Sequence, residues 1–480
     1  MLAHFIPVTG DEAYYAIWGI FPQLGGYDHP PLIGWLLYPF LLLSKNPIVL
    51  RMPMILTTTI IGLGIYLFLK SNDKQKAAFS SILFLISPLA LCGVLITTDA
   101  PVILFSFLSG ICVLQALKKN DHLGWFWMGG VFLGLAFFAK YFAVLLALGY
   151  FIYLVIISPN RSRICGLFIL FLGVLPFGLE NLWWNYSHGW ANILFNVYNR
   201  NVEAHFSLCT IVAYLLTLIY IITPPLFYYG CKHIKLLLKN DALNIFITIP
   251  LLFFLVLSSV KEIGLHWPLS FITFIYLWAG SQLNVNELKK SMAFILCFTG
   301  LHLILITLLL ILPMQTFQKF DINQKFYTKL VYFFEHNKIN TLLHQYNANY
   351  VFSSQDYVQA DMIFYDTNAY APTFGKGDEH GREDDLITDF NDYNHKNFLI
   401  FYSRPPRPAE YIPYFSTARV NHFNLYGATF YYVLGQDFNY INYRNTVLNY
   451  INNTYWDIPS YIPHKPSIFC EKYFKQLGCS

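Results

Sequence analysis

Charge is what this chain has least of. Asp, Glu, Lys and Arg make up 12% of its 480 residues, where a soluble globular domain carries about 25%. Apolar residues make up 56%, so an ordinary soluble fold is excluded. Acids are scarcest along the longest apolar runs: 11 of the 27 Asp and Glu lie before residue 314. Each of those few therefore needs a reason to be there. P-loop and dinucleotide fingerprints are lacking, which removes the common nucleotide cradles. The formal charge of +4 is modest, and no basic stripe interleaves with aromatics as nucleic-acid binding requires. Heptads, short repeats and low-complexity tracts are also absent. The eight cysteines form no framework, since six lie in or beside apolar runs, where Cys acts as a small hydrophobe. Cys470 and Cys479 lie in the more polar tail. An oxidising compartment would allow them to pair, but their spacing does not decide it.

What the chain has in abundance is apolar sequence. A bilayer core about 30 Å thick needs roughly 20 apolar residues as helix. Ten candidate spans follow, at about 48–69, 77–96, 99–117, 124–139, 141–157, 164–182, 208–230, 243–259, 267–283 and 291–313. Residues 31–44 are apolar but too short, and Pro30-Pro31 gives them a helix start. They read as a helix on the membrane surface. Residues 314–480 hold 14 of the 31 Lys and Arg in about half the length of the preceding part. The expected fold is mainly α: a membrane domain over 1–313, then a small exported α/β domain over 314–480.

Basic loops set the orientation. Twelve Lys and Arg, from Lys70 to Lys290, fall in one set of alternate loops, and five fall in the other. The richer set belongs in the cytoplasm. The opposite face then holds Asp11, Asp28, Asp99, Lys140, the loop from Trp183 to Phe206, and Lys261 to Trp267. Acids were not used to set the orientation, so their gathering on one face is an independent result. Carboxylates beside a bilayer are costly and mark functional positions. Each has a plainer reading. Asp99 opens a helix and could be its N-cap. Asp28 could be a turn residue before Pro-Pro, and His29 a solvated loop histidine. Lys140 could merely interrupt an apolar run, and Lys261 could be a loop lysine. Acids and cations sharing one face weigh against reading each alone.

Asp-Glu-Ala-Tyr-Tyr at 11–15, Gly-Tyr-Asp-His-Pro-Pro-Leu-Ile at 26–33 and Arg51-Met-Pro53 resemble the first extracytoplasmic region of GT-C glycosyltransferases. The similar branch holds the bacterial aminoarabinose and galacturonic acid transferases of lipid A and the protein O-mannosyltransferases. Thr98-Asp99-Ala100-Pro101 resembles the family's second acidic motif. Ala139-Lys140-Tyr141, Trp184-Asn185 with His188-Gly189-Trp190, and Lys261 with His266-Trp267 resemble later segments. The resemblance covers about residues 8–313.

It implies an inverting, integral-membrane glycosyltransferase with a sugar donor carried on polyprenyl phosphate. The acceptor would be lipid A, lipopolysaccharide core, another envelope glycolipid, or a protein. Asp11, Asp99 and Asp28 stand at the catalytic positions. His29, Lys140, Lys261, His266 and Tyr15 fall to the donor phosphate. Glu12, Arg51, Trp184 and Asn185 fall to the periphery of the site. His29 stands where the aminoarabinose branch has Lys, and Tyr14 where some relatives carry a basic residue. The resemblance places the site on the periplasmic side of a bacterial inner membrane. It also places a transmembrane helix before the first motif, so Leu2 to Val8 reads as the end of a lost first helix after a truncated or misassigned start.

The chemistry can be argued without the family. A leaving phosphomonoester gains negative charge, which fixed cations and donors stabilise. An acceptor hydroxyl needs a base, Asp11 first and Asp99 second; an acceptor phosphate does not. No cofactor is required, and a divalent metal at Asp28 and Asp11 stays an option. A transporter would show internal repeats or helices broken near mid-span, whereas these acids sit at span ends. A membrane scaffold would have no cause to gather them. In the tail, Asp361 to Tyr365, Phe398 to Tyr402 and Ala428 to Val433 read as strands. The charged run Gly375 to Asp389 reads as a solvated loop, with a border to the acceptor entrance as the functional alternative.

Overall fold

A computed structural model describes residues 2–199, 205–320 and 323–479. The chain divides into two compact units. One, here the helical unit, comprises His29–Asn181 and Glu203–Thr307. The other, the α/β unit, comprises Met1–Asp28, Leu182–Val202 and Leu308–Ser480. The first 28 residues, expected within a 1–313 membrane domain, therefore pack with the C-terminal residues.

Four helices are long and apolar enough to cross a membrane: Pro47–Leu69, Asp99–Lys118, Arg161–Ser187 and Val285–Ile311. A fifth candidate, Leu208–Ile222 with Pro224–Lys232, is bent by 103°. Pro224 follows the bend directly, and proline cannot continue the preceding hydrogen-bond ladder. Ten continuous spans are therefore not observed among the described residues. The 77–96 run stops at Ser87-Pro88, leaving helices Lys74–Leu85 and Pro88–Cys92. Leu123–Ala139 and Ala242–Leu257 are helices of 17 and 16 residues, short of the roughly 20 that a bilayer asks for. Residues 31–44 give the short helix Leu32–Leu41.

The helical unit packs around Asp99–Lys118, which buries Phe107 and Val113 completely. Small residues bring neighbouring backbones close. A Cβ on Gly130 would lie 2.1 Å from the Leu170 carbonyl oxygen, so helices Leu123–Ala139 and Arg161–Ser187 meet through glycine, a packing common in membranes. Helix Val285–Ile311 leaves Leu301, Ile304 and Leu305 exposed, an apolar outer face suited to lipid.

The α/β unit contains one sheet of order β1-β2-β4-β3. β1 is Val351–Ser354, β2 Phe398–Tyr402, β3 Phe415–Leu425 and β4 Ala428–Phe438. β1 and β2 are parallel, and the remaining pairs are antiparallel. Every residue of β2 is buried, as a strand covered on both faces demands. Its residues alternate between two cores. Leu399 and Phe401 join Val8, Ala13, Val331 and Phe430. Phe398, Ile400 and Tyr402 join Phe374, Val433 and Tyr443. Residues 361–365, expected as a strand, lie instead in helix Tyr357–Thr367, which Asp356 caps through the Val358 amide. This helix makes the crossover that two parallel strands require. Cys470 and Cys479 form a disulfide.

Candidate functional site

In the α/β unit the first motif is a helix, Gly10–Ile20. Thr9 caps it: Glu12 N–H donates to the Thr9 hydroxyl at 3.2 Å, and Thr9 N–H donates to the Glu12 carboxylate at 2.9 Å. This capping box gives buried Glu12 a structural task. Asp11, one residue earlier, stays exposed. Partial burial by its surroundings, then the Glu12 charge, raise its pKa above the ordinary Asp value. Such a carboxylate is a stronger base than a free one.

The helix positions Tyr14 against the second motif. The Tyr14 hydroxyl donates to Asp28 Oδ2 at 3.0 Å, and the Gly381 amide donates to the same oxygen at 3.3 Å. Asp28 is therefore more than a turn residue. Tyr15 is half-buried, with its ring 5.5 Å from Tyr14 and 5.9 Å from Trp18.

The turn that carries Asp28 is pinned from several sides. The Tyr27 amide donates to Glu383 at 2.7 Å. Asn192 donates to the Gly26 and Tyr27 carbonyls at 2.9 and 3.1 Å, and Asn196 donates to the Asp28 carbonyl at 3.0 Å. Trp184 lies flat on His188 and touches Gly25, where a Cβ would fall 2.1 Å from the indole. Asn185 is fully buried and accepts from the Ile193 amide at 3.2 Å. Trp184 and Asn185 thus support the Asp28 turn.

The run from Gly375 to Asp389 is not a solvated loop throughout. Arg382, Glu383 and Asp385 are buried. Arg382 grips Asp385 through two bonds of 2.7 and 2.9 Å, the bidentate geometry that suits burial. Burial pushes the Glu383 carboxyl up to about 8, the Asp28 charge adding to it against the Tyr27 hydrogen bond. Burial likewise raises Asp384 to about 6 and Asp361 well above the Asp range.

In the helical unit, Asp99 and Lys140 meet. The lysine Nζ lies 2.8 Å from Asp99 Oδ1, with side chains 8% and 15% exposed respectively. Asp99 is the first residue of its helix; Thr98 holds the N-cap position, and no side chain caps there. The capping reading of Asp99 therefore does not hold. Lys140 does interrupt a helix, at the end of Leu123–Ala139, but its ammonium is used. That ammonium also lies 5.9 Å from the Phe142 ring. Phe142 packs on Trp267 at 4.7 Å, and Lys261 lies 5.8 Å from the Trp267 ring. The two lysines thus flank one aromatic pair, an arrangement that favours cations. His266 is exposed, with its ring 6.4 Å from Trp267. His29 is half-buried, and Arg51 is fully buried in helix Pro47–Leu69.

Asp11 and Asp28 belong to no group of three converging metal ligands among the described residues. The group that does converge, within 4.8 Å, is Asp378, Glu379 and His380.

Parts of the chain are similar to known proteins. The family model for dolichyl-phosphate-mannose-protein mannosyltransferases matches residues 28–184. That stretch begins at Asp28 and contains the Asp99–Lys140 pair. The structure of ArnT from Cupriavidus metallidurans in the apo state aligns with 90% of this chain and 95% of its own, at TM-score 0.62 and 12% identity. The same protein bound to undecaprenyl phosphate aligns at TM-score 0.61 and 12% identity, over 90% and 94%. The chain has the GT-C fold. Lipid A galacturonosyltransferase RgtD of Rhizobium johnstonii is 26% identical over 184 residues, 37% of this chain. The chain spans 38% of that relative's length in the match.

Within this GT-C fold, sequence reasoning missed Glu383, Asn192, Asn196 and Tyr357, whose ring meets Tyr14 at 5.3 Å. The Asn side chains carried a faint signal: they are spaced i, i+4, so one face presents both. Glu383 carried none, because its partner is 356 residues away.

Proposed function

We propose that this protein is an integral-membrane glycosyltransferase that moves a sugar from a polyprenyl-phosphate carrier to an envelope glycolipid at the non-cytoplasmic face. The observation that carries this reading is the family match over 28–184, which contains Asp28, His29, Arg51 and the Asp99–Lys140 pair. The full-length likeness to a protein crystallised with undecaprenyl phosphate supports the donor class. The partial likeness to a lipid A galacturonosyltransferase supports the acceptor class. The Cys470–Cys479 disulfide supports an exported α/β unit.

The acceptor oxygen attacks the anomeric carbon as the bond from that carbon to the phosphate oxygen breaks. Polyprenyl phosphate leaves with the bonding pair. With a hydroxyl acceptor, Asp11 takes the proton. Lys140 and Lys261, with His29 and His266 beside them in role, offset the charge that develops on phosphate. Asp99 holds Lys140 in place, and Asp28 orients the acceptor. The reaction inverts the anomeric centre, being a single displacement.

The test is transfer in proteoliposomes with purified undecaprenyl-phosphate sugar and lipid A. Asp11→Asn and Asp99→Asn should each remove most transfer while leaving expression intact, with Asp28→Asn impairing it less. Wild-type turnover in both of the first two variants would sink the assignment. The family description favours a second acceptor, a protein hydroxyl. Labelled sugar appearing on protein rather than lipid would select it. A reporter after Ser480 that is active only outside the cytoplasm should be active.

A further inference from the structure

The α/β unit contains a cavity of about 1280 Å³ that the N-terminal motifs do not explain. Its size exceeds the roughly 300–1,000 Å³ of small-molecule pockets. It lies at the carboxyl ends of the two parallel strands: Gln355 and Asp356 follow β1, and Ser403 and Arg404 follow β2, and all four line it. Open α/β sheets bind ligands at that edge, because the loops leaving parallel strands splay apart there.

Its wall has three features. Tyr357, Tyr414 and Tyr431 supply aromatic surface, which suits the apolar faces of sugar rings. Lys325, Lys329 and Arg407 line it without closing an ion pair among the described residues, whereas Arg404 is engaged by Glu410 at 2.7 Å. Tyr402, only 2% exposed, also lines it, and its buried hydroxyl has no hydrogen-bond partner among the described residues. A buried hydroxyl costs stability unless something bonds to it. Asp356, Asp378, Asp384, Asp385 and Glu410 also line it, but each is engaged: Asp385 by Arg382, Glu410 by Arg404, and the other three by backbone amides. The remaining cations, the aromatic rings and the Tyr402 hydroxyl together describe a sugar that carries an anionic group.

The cavity shares its wall with the Asp28 cluster. Tyr357 lines the cavity on one side and meets the Tyr14 ring at 5.3 Å on the other. Gly381 lines it and donates its amide to Asp28. We propose that this cavity seats the phosphorylated saccharide head of the acceptor, with Lys325, Lys329 and Arg407 at the phosphate and Tyr402 bonded to a sugar oxygen. The proposal rests on the glycolipid-acceptor reading above.

The experiment measures direct binding to full-length protein in detergent, without donor, by saturation-transfer NMR. The probes are glucosamine 1-phosphate, glucosamine and inorganic phosphate. Glucosamine 1-phosphate should bind saturably, and the other two at least about tenfold more weakly, because each lacks one of the two contact sets. Lys325→Gln with Lys329→Gln should weaken glucosamine 1-phosphate about tenfold, in line with charge-assisted bonds. Tyr402→Phe, which keeps the packing, should weaken it about fivefold. No saturable binding by the wild-type protein, or affinities unchanged in both variants, would overturn the proposal. So would inorganic phosphate binding as tightly as the sugar phosphate. Asp11→Asn should bind the probe normally while failing to transfer sugar, which separates this proposal from the transferase reading: either can fail alone.

Discussion

In the helical unit a half-buried acid is met by a buried cation: Asp99 closes on Lys140 at 2.8 Å. In the α/β unit Asp28 accepts from a neutral hydroxyl and a neutral amide, and its neighbours Glu383 and Asp361 have their pKa values raised by burial. At these acids the first unit handles charge by pairing and the second by hydrogen bonding and protonation, although Arg382 and Asp385 pair in the second unit too. The difference suits the proposed chemistry. A leaving phosphate needs fixed positive charge, and the Lys140 and Lys261 pair around Phe142 and Trp267 keeps it in place. An acceptor needs orientation, and the neutral Tyr14 and Gly381 donors fix the Asp28 carboxylate in place.

Lys140→Met should break the comparison most severely. It leaves Asp99 with its carboxylate enclosed and its partner gone, a loss of about 3–5 kcal/mol for a buried pair. Thermal unfolding of the single variant and of the Asp99→Asn/Lys140→Met double variant checks this. The double variant should regain stability without regaining transfer. A single variant as stable as wild type would show that the pair bears no weight.

Gly25→Ala should come next. Its methyl would press on the Trp184 indole and push the Asp28 turn off its asparagine bonds, at about 1–3 kcal/mol for an overpacked contact. Chemical denaturation reads the effect.

The protonation half of the comparison is sharpened by Glu383→Gln. The Glu383 pKa stands at about 8 against an ordinary 4.5. Between those pH values the folded protein holds a proton that the unfolded chain has released. Its stabilising contribution is therefore full below pH 4.5 and lost as pH rises through 8. Wild-type Tm should fall more steeply from pH 6 to pH 9 than that of the variant, by roughly several degrees. Parallel pH profiles would refute protonation of Glu383. The smallest effect is expected for Lys261→Met, about 0.5–1 kcal/mol for a partly exposed cation–π contact, with a severalfold weaker dependence on donor concentration.

Legibility in the sequence followed the range of the contact. Phe398 to Tyr402 was readable as a strand because burial on both faces leaves an unbroken apolar run. The same kind of run misled at Asp361 to Tyr365, where length cannot separate a buried helix turn from a strand and the Asp356 cap decided the matter. Asp99 and Lys140 were each legible as charges on one face, yet their union was not, since 41 residues separate them. The runs 77–96 and 208–230 read as unbroken because hydropathy registers Ser87-Pro88 and Thr223-Pro224 weakly, while the backbone breaks there. Arg382 and Asp385 looked solvated because a buried bidentate pair and an exposed one have the same composition. Glu383 was out of reach for any local reading.

Because Met1–Asp28 packs with Leu308–Ser480, the beginning of the chain must wait for its end. A ribosome adding about 5–20 residues per second takes on the order of a minute to deliver Gly381 and Glu383 after Asp28 has emerged. During that interval the acidic turn has neither its amide donor nor its carboxylate brace. A ribosome that stalls beyond the last long apolar helix would release a protein with every acidic motif present and the Asp28 turn held by Asn192 and Asn196 but lacking its Gly381 and Glu383 contacts. Assembly of this site is thus timed by completion of the polypeptide, and a transferase activity that depends on it would stay silent on nascent chains.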